Sequence, residues 1–215
     1  MDNRTKKITA AAMLCAIAFV MVALIRIPVV LFLKYDPKDI VIALGGFIWG
    51  PFTSFIVSVV VSLIEMVTIS DTGYWGLIMN ILSTCSFACT AAIIYKYKRT
   101  LSGAVIGLLA GVACQVGVMI LWNYLITPIY MGVPREAVVK LLIPAFLPFN
   151  LLKSGLNAAG AFLLYRPVTA ALRKTGYIPK PAAETKRKVP VGLLIVAGVI
   201  VITCVMFILS FNGII

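Results

Sequence analysis

The sequence predicts an all-α integral membrane protein, a six-transmembrane-helix bundle with an additional C-terminal transmembrane helix, and three observations carry that prediction. Of 215 residues, 62% are hydrophobic and only 12% charged, where a soluble domain is nearer half apolar and a quarter charged. A soluble fold could not hide that much apolar side chain, and a disordered chain would carry more charge. The apolar residues form long runs, each near the roughly 20 residues a spanning helix needs. The length therefore admits six or seven spans and leaves no room for a separate soluble catalytic domain. Finally, the net charge of +12 is unevenly shared between the two sets of loops.

Each element follows from its punctuation. The first span covers 8–25 and ends at Arg26 and Pro28. Arg4, Lys6 and Lys7 precede it as in a signal peptide, but no small-residue cleavage site follows, so it is kept as a membrane helix. A polar loop around Lys34 to Lys38 leads into a short, Gly-rich second segment, 39–50. Pro51 turns the chain into the third, 52–69, and Ser70-Asp71-Thr72-Gly73 is a turn. The fourth covers 75–95, the fifth 102–126 and the sixth 141–165. The expected organisation is a six-helix core (1–176), a basic linker (177–188) and an appended single helix (189–215) whose apolar run is 189–211.

With the N-terminus in the cytoplasm and alternating spans, 13 of the 19 basic residues fall on inner ends: Arg4, Lys6 and Lys7, then Lys96, Lys98 and Arg99, then seven from Arg166 to Lys188. The outer ends hold Arg26, Lys34, Lys38, Arg135 and Lys140, and Lys153 lies within a span. Positive charge marks the cytoplasmic side. The excess thus reads as topology, and no nucleic-acid partner is expected.

The chain has no histidine, which excludes imidazole bases, His metal sites and His-dependent triads. Its five cysteines all lie in apolar runs and read as reduced, buried small hydrophobes. No resident metal or cofactor is expected.

Polar side chains inside spans are costly and mark either interhelical hydrogen bonds or a functional cavity. At about 1.5 Å per residue, Glu65, Asn80 and Asn123 all lie roughly 5–8 Å below the outer ends of their spans. On the sixth span Asn150, Lys153, Ser154 and Asn157 fall on one helical face. The convergence in the outer half predicts a pocket opening outward. An ammonium at the depth of Lys153 needs a carboxylate or several acceptors, and Glu65 is the acid available within the spans, so a Glu65–Lys153 pair that only clamps two helices is the structural alternative. Asparagine amides suit the imide and carbonyl edge of a planar heterocycle. Tyr35, Leu44, Trp122 and Phe149 are placed to sandwich an apolar ring, and Glu65 and Asn80 to accept from hydroxyls. On the first helix, Ala12-x-x-x-Ala16 within a run of alanines offers close approach to another helix, inside or outside the bundle.

The order of several segments along the chain resembles the riboflavin-specific substrate-binding (S) component of bacterial energy-coupling factor (ECF) vitamin transporters. These are Lys34-Tyr35-Asp36-Pro37-Lys38-Asp39, Gly46-Phe47-Ile48-Trp49-Gly50-Pro51, Ser58 through Glu65-Met66, Gly76-Leu77-Ile78-Met79-Asn80, the stretch from Asn123 to Gly132, and Pro148-Phe149-Asn150-Leu151-Leu152-Lys153. The resemblance implies riboflavin bound in the outer half, with Asn123, Asn150 and Lys153 on the isoalloxazine ring. It also implies that the first loop, with Tyr35 and Asp36, caps the pocket. Ala12 and Ala16 would dock on a transmembrane coupling subunit driven by two ATPases, and the S component would topple to deliver its ligand. The added C-terminal span departs from that pattern.

The leading expectation is therefore a riboflavin-binding uptake component, without ATPase activity of its own because no P-loop is present. Other readings are an S component for another vitamin or for FMN/FAD, favoured by an uncompensated cationic mouth; an intramembrane enzyme using Glu65; and a structural membrane subunit.

Overall fold

The chain folds as a bundle of long apolar helices, seen here in a computed structural model that describes residues 3–174 and, beyond them, only 192, 195, 197–199, 201, 202 and 206. The helices are α1 (Asn3–Leu24), α2 (Lys38–Trp49), α3 (Pro51–Thr68), α4 (Gly73–Thr84), α5 (Thr90–Tyr97), α6 (Leu101–Leu125), α7 (Thr127–Met131), α8 (Arg135–Leu141) and α9 (Leu147–Lys174). Among the described residues, five stretches are long and apolar enough to cross a membrane: Lys7–Leu24, Pro51–Thr68, Gly73–Tyr97, Leu101–Leu125 and Arg135–Leu172. The expected second span is the 12-residue α2, only about 18 Å long at 1.5 Å per residue. Gly50 and Pro51 join it directly to α3.

Two of the five spans are interrupted by π-helical turns. Cys85–Cys89 links α4 to α5, and Leu142–Phe146 links α8 to α9. The second contains Pro144, whose missing N–H removes a rung of the helical ladder. The sixth expected span is accordingly longer than its apolar run and starts at α8. Thr100 caps α6 by accepting from the Gly103 N–H at 3.1 Å, which satisfies one of the donors a helix start leaves free.

The core is built from small residues and a few aromatics. Ala18, Ala43, Val57, Val61, Phe87, Ala88, Ala91, Ala104 and Ala161 are buried in one cluster. A Cβ at Gly107 or Gly111 would lie 2.7 Å from the backbone oxygen of Ala91 or Phe87. Glycine at both positions is what lets α6 pack this closely on α5 and the π turn before it. Phe52, Val67, Leu109 and Ile143 are instead exposed, the surface a bilayer covers.

The polar loop expected from Leu33 to Lys38 begins instead as the second strand of a β-hairpin that follows α1. Strands β1 (Ile27–Val30) and β2 (Leu33–Tyr35) pair antiparallel in the register Ile27↔Tyr35 and Pro28↔Lys34, with Leu31 at φ 53° in the turn. The β-branched Ile-Pro-Val-Val run fits a pleated surface, but its length is too short to stand out between two membrane helices.

The linker 177–188 and most of 189–211 lie outside the described residues. At the described positions of that last run, Ala197 is buried with the main core, while Ile195, Val199, Ile202 and Met206 are exposed.

Candidate functional site

The hairpin sits over the end of the bundle where charged residues gather. Lys34 on β2 pairs with Asp71 in the α3–α4 turn, and Arg26 donates to the Ile69 carbonyl. On the other side, Lys153 Nζ on α9 lies 2.9 Å from Asp36 Oδ2. Tyr35 donates its hydroxyl to Asn157 Oδ1 at 3.2 Å. The hairpin is thus fastened to both walls.

Beneath it, Lys38 Nζ lies 2.6 Å from Glu65 Oε1, and Asn80 Nδ2 donates to Glu65 Oε2 at 3.0 Å. Asp39 accepts from Thr84 Oγ1 at 2.7 Å and from Asn157 Nδ2 at 3.2 Å. Buried charges persist only when paired and hydrogen-bonded, and α2 supplies two of them from its first turn.

Asp36 and Asp71, both in connections between helices, titrate away from their ordinary values. Burial pushes Asp36 up, but the nearby Lys153 and Lys38 ammoniums outweigh it and hold the carboxyl below the usual range. The hydrogen bond from Lys34, with its charge, holds exposed Asp71 down as well.

A cavity of about 170 Å³ opens among these groups, bordered by Arg26, Lys34, Asp36, Glu65, Asp71, Asn80 and Tyr130. Phe32, Thr72, Met79 and Tyr130 also border a narrow slot whose other walls are Trp75, Gly76, Trp122, Ile126 and Thr127. A polar chamber thus adjoins an aromatic slot. Within the chamber wall, Asp36 Oδ1 is buried and has no hydrogen-bond partner among the described residues.

The expected site residues divide accordingly. Asp36, Glu65 and Asn80 come together at the chamber, with Lys153 directly behind Asp36. Asn123 and Asn150 are buried but donate to carbonyls one turn back on their own helices, Met119 O and Phe146 O, each at 2.7 Å. Asn123 is nevertheless tied to the slot, because Thr127 donates to its Oδ1 at 2.9 Å. Leu44 is in the main core, Phe149 packs with Leu33, Val138 and Phe146, and Asn157 joins the Asp39 network. None of those three borders the chamber or slot, whereas Trp122 does.

Two sequence readings are corrected. The Glu65–Lys153 clamp, the alternative to a pocket, does not form: each takes another partner, because Asp36 and Lys38 flank Pro37 and bring opposite charges in from the end of the hairpin. The cationic mouth is compensated only in part, by carboxylates at Lys34 and Lys38. Lys34, Lys38 and Arg26 are all engaged, and the Arg135 guanidinium stacks 5.2 Å from the Tyr124 ring centroid.

Sequence reasoning missed Lys38, Asp39, Thr84 and the slot residues Phe32, Thr72, Trp75 and Tyr130. The alternating charges of Lys34-Tyr35-Asp36-Pro37-Lys38-Asp39 were the available signal for the first two. On α1, Ala12 and Ala16 are exposed, while Ala10 and Ala18 are buried in the bundle.

Comparison with known proteins places these features in context. A family model described as the substrate-specific component of ECF transporters matches residues 6–165. The riboflavin transporter RibU of Staphylococcus aureus (strain TCH60) is 28% identical over 182 residues, covering 80% of this chain and 95% of the relative. The riboflavin transporter FmnP of Bacillus subtilis (strain 168) is 25% identical over 162 residues, covering 70% and 85%. A solved S component of a bacterial ECF transporter superposes with a TM-score of 0.69 at 29% identity, over 79% of this chain and 99% of that one. ThiT from Listeria monocytogenes shares the fold, with a TM-score of 0.52 at 14% identity over 83% and 100%.

Proposed function

Since the chain belongs to the substrate-specific component family of ECF transporters, a family of multi-pass membrane proteins that work with an ECF module, we propose that it binds riboflavin and serves its uptake across the bacterial cytoplasmic membrane. One observation carries this reading beyond family membership: a polar chamber edged by Asp36, Glu65 and Asn80 adjoins a slot walled by Trp75, Trp122 and Tyr130. Riboflavin has the matching division, a flat aromatic ring joined to a polyhydroxylated chain. The slot offers π faces to the ring, and the carboxylate oxygens accept from hydroxyls. The two riboflavin transporters among the relatives support the same ligand.

The chamber is smaller than the roughly 300–1,000 Å³ usual for small-molecule sites. Riboflavin binding therefore requires the Asp36 end of the hairpin to lift from α9 and the bonds there to rearrange, while the Lys34–Asp71 pair at the mouth is kept. In that step Lys153, Asn123 and Asn150 exchange internal partners for the ring's carbonyl and imide edge. Asp36 and Tyr35 move with the hairpin, while Glu65 and Asn80 stay on the helices.

The N-terminus lies in the cytoplasm, so the hairpin end faces outward. Exposed Ala12 and Ala16 form the surface that a transmembrane coupling subunit covers, and two ATPases on that subunit supply the energy. The chain has no ATPase activity and no resident cofactor of its own. The last run, 189–211, is an appendage to the six-helix core.

Uptake tests the reading. Cells unable to make or import riboflavin, supplied with this chain and a compatible ECF module, should accumulate labelled riboflavin in an ATP-dependent way. Uptake no greater than with the module alone would contradict it.

A further inference from the structure

Three of the four cations around the chamber are each paired with a carboxylate. At its mouth Lys34 is engaged by Asp71, and Arg26 by the Ile69 carbonyl. Deeper in, Lys38 is committed to Glu65 and Lys153 to Asp36. Three carboxylates border the same space, and among the described residues the one buried atom there without a partner, Asp36 Oδ1, is an acceptor. The chamber therefore offers a vacancy to a hydroxyl donor and no unpaired lysine to an anion. A phosphate monoester carries about −1.5 to −2 charges at pH 7. It would give up hydration and meet three carboxylates with no unpaired lysine, Arg26 being the one cation there not set against an acid.

Among these pairs, Lys34–Asp71 differs in its surroundings. The Lys38 and Glu65 side chains are 1% and 5% exposed, whereas Lys34 and Asp71 are 32% and 68% exposed. Removing Glu65 or Asp36 would strand a buried ammonium. Removing the charge of Asp71 leaves Lys34 in water at the mouth, ready to receive an anion. We propose that Asp71, by occupying Lys34, is a specificity-determining residue that restricts the site to the uncharged, unphosphorylated form of its ligand. This rests on the riboflavin reading of the chamber and deepens it.

The test uses the full chain in detergent, titrated with riboflavin and with riboflavin 5′-phosphate by quenching of flavin fluorescence. The unaltered protein should prefer riboflavin. Asp71→Asn should narrow that preference about three- to tenfold, through tighter binding of the phosphate ester. The gain should vanish at high salt, because a pair this exposed is screened. Adding Lys34→Gln to Asp71→Asn should restore the original preference. A preference unmoved by Asp71→Asn, in protein that still binds riboflavin, overturns the role of Asp71 alone. Equal binding of the two ligands by the unaltered protein overturns it too. No riboflavin binding by the unaltered protein overturns the reading of the site itself, and this inference with it.

Discussion

Lys153 Nζ on α9 lies 2.9 Å from Asp36 Oδ2, an ion pair between residues 117 positions apart that fastens the hairpin to the bundle. Both side chains are almost fully buried, at 6% and 9% exposed, so removing either partner leaves the other charge without compensation. Asp36→Asn or Lys153→Met should each cost about 3–5 kcal/mol. The double variant should lose less than the sum of the two, by about 1–3 kcal/mol. Denaturation in detergent measures all three, and strictly additive losses would mean the pair is not coupled.

The same pair fixes a pH window. The Lys153 and Lys38 charges hold folded Asp36 below its unfolded value near 4, in spite of its burial. A depressed folded pKa contributes stability that is present above the unfolded value and lost as pH falls through the folded one. The stability difference between the unaltered protein and Asp36→Asn should therefore stay level from about pH 8 to about pH 5 and shrink only below about pH 4. A difference already shrinking between about pH 8 and 6 would contradict the sign of this shift.

Glu65 and Asn80 should separate two kinds of loss. Glu65→Gln strands Lys38, whose side chain is 1% exposed, and should reduce both stability and riboflavin affinity. Asn80→Ala removes one neutral donor to Glu65, a bond worth about 1 kcal/mol. It should leave the fold intact while weakening riboflavin binding about three- to tenfold. Parallel flavin titrations and melting curves distinguish the two, and an Asn80→Ala protein with unchanged affinity would remove Asn80 from the site.

The surface of α1 makes a third division. Ala12 and Ala16 are exposed and Ala18 is fully buried. Ala12→Trp and Ala16→Trp should fold and bind riboflavin normally yet lose energised uptake, because the bulk blocks close helix approach. Ala18→Trp should fail to fold, since a packed core cannot admit an indole. Normal uptake by the Ala12 and Ala16 variants would refute docking through this face.

The helices were legible because bilayer thickness imposes a length and Pro, Gly and basic clusters mark the ends. The outer-half clustering of Glu65, Asn80 and Lys153 was legible for a related reason: polar groups are scarce in membrane spans. The partners were not. Pairing Lys153 with Asp36 depends on where the hairpin folds back, a long-range event that leaves no periodic trace. Of the slot's aromatic walls only Trp122 was legible: Trp75 and Tyr130 are ordinary residues near span ends, and only the packing of α4, α6 and α7 brings the three into one wall. Asn123 and Asn150 satisfy their own helices, an arrangement that spacing alone does not distinguish from one aimed at a ligand.

Riboflavin binding by the purified full chain is the most direct measurement of the central claim. Protein isolated from cells in detergent should be yellow and release close to one riboflavin per chain on denaturation. Stripped protein should quench flavin fluorescence on titration, with weaker quenching after Lys153→Ala or Asn150→Ala. Colourless protein that leaves flavin fluorescence unchanged would contradict the account.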